Sequence, residues 1–369
     1  MKFLFIKIEN DNNIIYLKEN KIQKDLSKKL NDTKTLIDEY PKEWEYAKKY
    51  IHDYEYIYTS NYRNNISKIT PISRSYFKFT EIYYDYNIID KTVNNKIVCL
   101  AEAPGGFIQA ITHLLPYDKT IKIYGNSLQS EIKSIPKWNS RLLNNNKISF
   151  YNGINDNGDL YDFKNVISLI KKYGRESVDL VTGDGGFDYS SDYSKQEINS
   201  YRLIYSEIFI ALNVQKRGGN FVCKIFDIFH KETILLLSIL NDSYENVYIH
   251  KPCVSRNSNS EKYIICKNFK GYNSDIIKIL CHGFNNILEI PISKKLLDEI
   301  ISVNNLYCEN QINKIIKGIE YIKNNDYNKE PNEKQIKLAY EWCKRYDIKI
   351  NEKCKYIKPH NLRFVDELV

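Results

Sequence analysis

The stretch Lys96-Ile97-Val98-Cys99-Leu100-Ala101-Glu102-Ala103-Pro104-Gly105-Gly106-Phe107-Ile108 runs from an apolar, strand-like segment through a Gly-rich turn. It then enters a segment, Ile108 to Leu115, with helical spacing. Strand, glycine turn and helix in that order open a nucleotide-type α/β fold. Two adjacent glycines let the backbone pass close beneath a ligand, Pro104 stiffens the entry, and the N–H groups of the new helix face the same place. A carboxylate-bearing cofactor would be well held there. The turn has no Lys-Ser/Thr pair after its glycines, which excludes a P-loop, and it lacks the G-x-G-x-x-G spacing of a dinucleotide site. Taken alone, Pro-Gly-Gly also reads as a tight turn between packed elements.

Downstream, strand and helix patterns alternate. Strands are expected at 96–101, 120–126, 147–151, 178–183, 219–226, 246–250 and 262–267, and helices at 105–115, 160–173, 195–216 and 230–240. Such alternation implies a mostly parallel sheet covered on both faces, with ligands at the carboxyl ends of its strands. The last two strands are too close in sequence for a helical crossover, so that pair is expected to be antiparallel. The expected fold class is therefore α/β, Rossmann-like, with seven strands, mostly parallel and one antiparallel, the arrangement of S-adenosylmethionine (SAM) methyltransferases.

The flanks read differently. Before Pro71, Leu36, Ile37, Tyr40, Trp44, Ala47, Ile51 and Tyr54 recur at helical spacing and Pro41 divides them into two helices; Ser73 is expected to cap a further helix holding Arg74, Lys78 and Ile82. After Lys270 the pattern is helical and polar, with Ile312 to Ile322 and Lys334 to Cys343 read as helices with solvated faces. The expected organisation is a helical N-terminal extension (1–70), a catalytic α/β domain (71–270) and a helical C-terminal extension (271–369).

The 369 residues are 43% hydrophobic, enough to bury a sizeable core, and no apolar stretch is long enough to span a membrane. Met1 to Lys7 is too short and too broken by polar residues for a signal peptide, so an intracellular protein is expected. The eight cysteines include no C-x-x-C pair, and Cys99, Cys223 and Cys266 lie in β-like runs; they read as reduced and structural, with no zinc site. A net charge of +8 favours a polyanionic partner, although an AT-rich coding sequence would also produce the abundant Lys, Asn, Ile and Tyr.

Each later strand ends in something polar. Asp184 follows the strand 178–183 and precedes Gly185-Gly186-Phe187, Lys224 sits inside an otherwise apolar strand, and Glu261 opens the last strand. A lysine in a buried strand is costly unless paired. Asp184 and Glu261 are its natural partners, and Lys78, on the helix before the first strand of the sheet, completes a Lys-Asp-Lys-Glu cluster. Singly, each has a plainer reading, as a turn-forming Asp or a lysine reaching the sheet edge.

With that cluster in view, several blocks resemble the FtsJ-like 2′-O-ribose methyltransferases. They are Thr182-Gly183-Asp184-Gly185-Gly186-Phe187, Lys195-Gln196-Glu197, Gly218 to Asp227, Lys251-Pro252, Ser255-Arg256 and Asn259-Ser260-Glu261-Lys262-Tyr263. Within that family they look most like the mRNA cap branch of eukaryotes and large DNA viruses. The resemblance covers roughly Ser73 to Lys270. It implies a SAM-dependent enzyme that methylates the ribose 2′-hydroxyl of the first transcribed nucleotide, converting cap 0 to cap 1. Its partner would be the capped mRNA 5′ end, with other capping or transcription machinery. Its place would be the nucleus or cytoplasm, or a viral factory or virion if the source is viral.

Carried over by residue, Lys78, Asp184, Lys224 and Glu261 are the implied catalytic tetrad. Ser73 and the run Glu102, Ala103, Pro104, Gly105, Gly106, Phe107 and Ile108, with Asp159 and Leu160, are the implied cofactor contacts; Ser194, Lys195, Gln196 and Glu261 are the implied substrate contacts. Lys224 would be the base or the alkoxide stabiliser, pushed toward neutrality by burial and nearby positive charge and raised by Asp184 and Glu261. No metal is implied. The chain departs from the branch at Ser73, where Asn is usual, and at Asn126-Ser127, where no acidic residue awaits the cofactor ribose. The competing readings are a ribosomal or transfer RNA substrate, or a non-catalytic RNA-binding scaffold on the same fold.

Overall fold

In the computed structural model, which describes residues 5–9, 11–90, 95–116, 120–186, 195–284, 286, 288–324 and 330–357, the apolar runs become strands. In chain order these are β1 (Phe5–Ile8), β2 (Ile14–Ile15), β3 (Lys96–Leu100), β4 (Lys122–Gly125), β5 (Ile148–Phe150), β6 (Val178–Gly183), β7 (Gln215–Ile225), β8 (Tyr244–His250), β9 (Lys262–Phe269) and β10 (Ile292–Ser293). The helices are α1 (Lys24–Thr35), α2 (Pro41–Tyr50), α3 (Ser75–Tyr86), α4 (Gly106–Leu114), α5 (Ser140–Leu143), α6 (Phe163–Tyr173), α7 (Gln196–Val214), α8 (Lys231–Ser243), α9 (Ser274–Gly283), α10 (Lys294–Lys323) and α11 (Glu333–Arg345).

The main sheet has the order β1-β8-β9-β7-β6-β3-β4-β5. All seven expected strands are present. Five run parallel from β7 to β5, and β9 is reversed between β7 and β8. An eighth strand, β1, pairs antiparallel with β8 and occupies the edge. The N-terminal segment, expected as a helical extension with no strand assigned to it, also supplies this strand and β2, which pairs with β10. Five residues between β1 and β2 are too few for a helix, and β8 offers an unpaired edge for β1 to satisfy.

β3 and β6 are buried on both faces, as unbroken apolar runs in a parallel sheet should be. One core lies under α6, α7 and α8 and takes in Leu296, Ile300 and Val303 of α10. The other lies under α3, α4 and α11, where Trp342 and Tyr346 pack with Phe77. The C-terminal helices, expected to be wet, are therefore amphipathic and half-buried. The α10 helix runs 30 residues, roughly 45 Å at the helical rise. It receives Leu30 of α1 beside Ile312 and Trp44 of α2 beside Ile315 and Ile319. Gly318 makes the latter contact possible, because a Cβ there would meet the Trp44 ring at 2.4 Å.

Pro41 does divide the early pattern: a 3-10 turn over Leu36–Glu39 gives way to α2 with Pro41 in its first turn. The preceding helix α1 escaped the reading because it buries only Ser27, Leu30, Thr33 and Lys34. Ser73 is not the cap of α3. Arg74 holds the N-cap position without a side-chain cap bond, while the Ser73 hydroxyl meets that of Ser75 at 2.5 Å. Among the described residues no helix is long and apolar enough to cross a membrane.

Candidate active site

Strand register assembles the cluster. In the β6–β7 pair Gly183 lies opposite Cys223, so Asp184 and Lys224 leave the sheet side by side. In the β7–β9 pair Lys224 lies opposite Tyr263, two residues beyond Glu261. Side chains alternate along β7, so Lys224 shares a face with Val222, which packs under α3, and α3 carries Lys78. Four residues spread over 180 positions thus meet at one end of the sheet.

Within the cluster Lys224 Nζ donates to the Asp184 carbonyl oxygen at 2.7 Å and lies 3.3 Å from its Oδ1. Tyr263, fully buried, donates its hydroxyl to the same Oδ1 at 2.7 Å. Lys78 Nζ pairs with Glu261 Oε1 at 2.6 Å. All four side chains are 11–15% exposed, deep enough to be shielded and open enough to be reached. Burial alone would depress Lys224, but Asp184 and Glu261 outweigh it and its pKa is raised above the ordinary lysine value. Burial alone would raise Glu261, but Lys78, Lys224 and Lys251 hold it down at about 2. Both shifts favour the charged forms of Lys224 and Glu261.

Two further groups support the cluster: Lys251, quoted above only as part of a resembling block, and Glu207, which the sequence reading did not single out. Lys251, 9% exposed, donates to the Asn259 and Glu261 carbonyls at 2.8 and 2.7 Å and so pins the loop carrying Glu261; burial and its cationic neighbours hold its pKa well below the ordinary range. Glu207 of α7 lies beneath the Asp184 turn, on the opposite face of the sheet. It accepts from Cys223 Sγ at 3.2 Å, and a Cβ on Gly183 would sit 2.5 Å from its carboxyl carbon. Burial, with Asp184 adding to it, pushes Glu207 up to about 8. A buried acid on a helix has no periodicity signal, so Glu207 was not legible before the fold.

The glycine turn does hold β3 to α4, but its glycines serve protein packing. A Cβ on Gly106 would meet the hydroxyls of Ser75 and Ser73 at 2.1 and 2.2 Å, and one on Gly105, at φ +108°, would meet Leu142 at 2.2 Å. Side chains of Ser73, Ser75 and Leu142 therefore already press on this turn, and they leave no room for a larger residue at either glycine. Glu102 caps α4 by accepting from the Phe107 N–H at 2.7 Å, while its second oxygen is buried without a hydrogen-bond partner among the described residues. Burial and the Asp184 charge keep Glu102 well above the carboxylate range.

Ala103 donates to the Ser127 hydroxyl at 3.3 Å, and Gln129 N–H donates to the Asn157 carbonyl at 2.7 Å, so the turns after β3, β4 and β5 are tied into one rim. Asp159 closes the third of these by accepting from Tyr161 N–H, and Leu160 is buried behind it. This rim, with the inward carboxyl of Glu102 and the orphaned Asn126 Oδ1, has the donors and acceptors to receive an amino-acid and nucleoside cofactor. Lys195 is exposed at the N-terminal end of α7 with Gln196 beside it; Ser194 lies outside the described residues.

A model of the FtsJ-like methyltransferase family matches residues 71–269. The chain is 31% identical over 234 residues to a Drosophila melanogaster protein named cap-specific mRNA (nucleoside-2′-O-)-methyltransferase 2, a match covering 58% of this chain and 32% of that one. It is 36% identical over 156 residues to the Caenorhabditis elegans cap-specific methyltransferase 1, covering 41% and 17%. A Caenorhabditis briggsae protein named as an inactive cap-specific methyltransferase 1B is 31% identical over 159 residues, covering 42% and 19%. The chain spans about a third or less of the length of these relatives.

Proposed function

Because the chain belongs to the FtsJ-like methyltransferase family, we propose that it transfers a methyl group from SAM to the ribose 2′-hydroxyl of the first transcribed nucleotide of capped mRNA. An inactive relative matches about as well as active ones, so similarity alone does not distinguish them. The observation that carries the proposal is the Lys78–Glu261 and Lys224–Asp184 pairs converging at the carboxyl ends of β6 and β7.

SAM, held at the rim formed by the turns after β3, β4 and β5, supplies a methyl group on a positively charged sulfur. The chain's task is to make a poor nucleophile competent and to align it. Lys224, fixed by Asp184, points its nitrogen at the 2′-oxygen. As the oxygen–methyl bond forms and the methyl–sulfur bond breaks, the hydroxyl proton must leave. The lysine takes it once a neighbouring positive charge and loss of water have lowered its pKa from the raised ligand-free value. Tyr263 holds Asp184 in place, and the Lys78–Glu261 pair flanks the ribose. Lys195 and Gln196 stand at the N-terminal end of α7, where an RNA backbone would pass.

Transfer of labelled methyl from SAM to matched RNAs tests the reading. Stacking of the positively charged methylguanine contributes about 1–2 kcal/mol per aromatic face, so capped RNA should exceed triphosphate RNA by roughly tenfold in kcat/KM. The product should be 2′-O-methyl on the first nucleotide. Equal rates, or methyl groups mapped to internal positions, would move the substrate to ribosomal or transfer RNA.

A further inference from the structure

A narrow cleft opens where three separate parts of the chain meet: Lys48 to Tyr54 at the end of α2, Arg256 to Ser258 in the loop before β9, and Lys314 on α10. Two of the three lie outside the family match. His52 lines the cleft at 5% exposure, and its Nε2 has no hydrogen-bond partner among the described residues. A buried polar atom left unpaired costs about 1–3 kcal/mol, so it calls for a ligand. The walls indicate which. Arg74 and Arg256 share the single carboxylate of Glu55, Lys314 and Lys334 share that of Asp53 at 3.8 and 3.1 Å, and Lys48 pairs with Glu45, so five cations face three carboxylates. The surplus is positive. Burial, then Arg74, Arg256 and Lys314, hold the His52 imidazole well below its ordinary pKa.

We propose that this cleft binds a phosphate group of the RNA substrate, with His52 Nε2 as donor and Lys48, Arg256 and Lys314 as the charged walls; it rests on the RNA-methyltransferase reading. Its position suits the role. Gln311, one turn before Lys314, donates to the Ser258 carbonyl at 3.2 Å and fixes the loop. Only two residues, Asn259 and Ser260, then separate Ser258 from Glu261, a reach of at most about 10 Å, or one to two nucleotide steps from the ribose. The N- and C-terminal segments thus build a substrate contact that the family-matched segment does not make alone.

Fluorescence anisotropy of a labelled capped RNA, with the full chain and with Lys314→Ala, Lys48→Ala and His52→Gln, tests this. Each variant should bind RNA about three- to tenfold more weakly at low salt. The two lysine variants should each reduce the salt slope by about one, while S-adenosylhomocysteine affinity stays unchanged and reports intact folding. A 5′-hydroxyl RNA and a cap dinucleotide separate the two phosphate sources: a loss seen with the former assigns the backbone, and one confined to the latter assigns the polyphosphate bridge. Inorganic tripolyphosphate should also raise the pKa of the His52 ring read by NMR. An unchanged salt slope in both lysine variants together with an unmoved His52 resonance overturns the proposal, even if methyl transfer proceeds. If tripolyphosphate shifts His52 but no RNA is methylated, the cleft stands and the RNA-methyltransferase reading falls.

Discussion

Lys224 carries two demands that pull against each other: it must be anchored, and it must let go of a proton. Asp184 and Glu261 anchor it, at the cost of a raised pKa. Lys224→Ala should abolish methyl transfer while S-adenosylhomocysteine, bound at the rim, keeps its affinity within about threefold in titration calorimetry. Near-full turnover would exclude Lys224 from the chemistry. In the wild type the raised pKa leaves little neutral amine near neutrality, so kcat should climb with pH toward the alkaline range; a flat profile would reduce Lys224 to a pure electrostatic role. Tyr263→Phe removes one hydrogen bond to the Asp184 carboxyl group, about 1.5–3 kcal/mol, and should lower kcat roughly tenfold to a hundredfold with little change in KM for SAM. Lys224 was readable because a charge inside an apolar strand is conspicuous, and Asp184 and Glu261, at strand ends, and Lys78, on the helix before β3, were read as its companions. Tyr263 was not, because a tyrosine in a strand is ordinary and only the register with Lys224 reveals its target.

At the scale of elements, α11 is tied to the site by a single buried bond: Trp342 Nε1 donates at 2.9 Å to Oε2 of Glu81, one turn beyond Lys78 on α3. Oε1 of the same carboxylate takes the Cys253 N–H, at the start of the loop that leads to Glu261. One carboxylate therefore fixes two of the elements that carry the tetrad. Trp342→Phe keeps most of the packing but leaves a buried oxygen without its donor, which should cost about 1–3 kcal/mol in urea unfolding and lower kcat more than it changes cofactor affinity. Unaltered stability would show that water replaces the indole. The strands and helices of the α/β core were legible almost throughout, because period-2 and buried apolar runs are local signals. The helix α1 and the burial of α10 and α11 were not: α1 is largely polar, and which face of a charged helix is covered depends on partners more than two hundred residues away.

Across the whole molecule, acids that are buried and kept protonated set the response to pH. Glu207 and Glu197, held at about 8 and about 7 chiefly by burial, retain protons that the unfolded chain releases near its ordinary value of 4.5. Their contribution to stability is fully present below that value and is lost as pH rises through 7 to 8. Glu207→Gln should therefore flatten the decline in stability between pH 5 and 8 measured by urea unfolding, and an unchanged decline would mean that Glu207 is ionised in the fold. The edge strand has a different consequence, in time. Phe5 pairs with His250, so the first strand of the sheet cannot find its partner until more than two hundred further residues have been made. At about 5–20 residues per second a ribosome takes at least ten seconds over that interval. During synthesis the N-terminal segment must remain unpaired and the β8 edge is the last to be covered, so the nascent chain is most open to mispairing just as its catalytic cluster becomes complete.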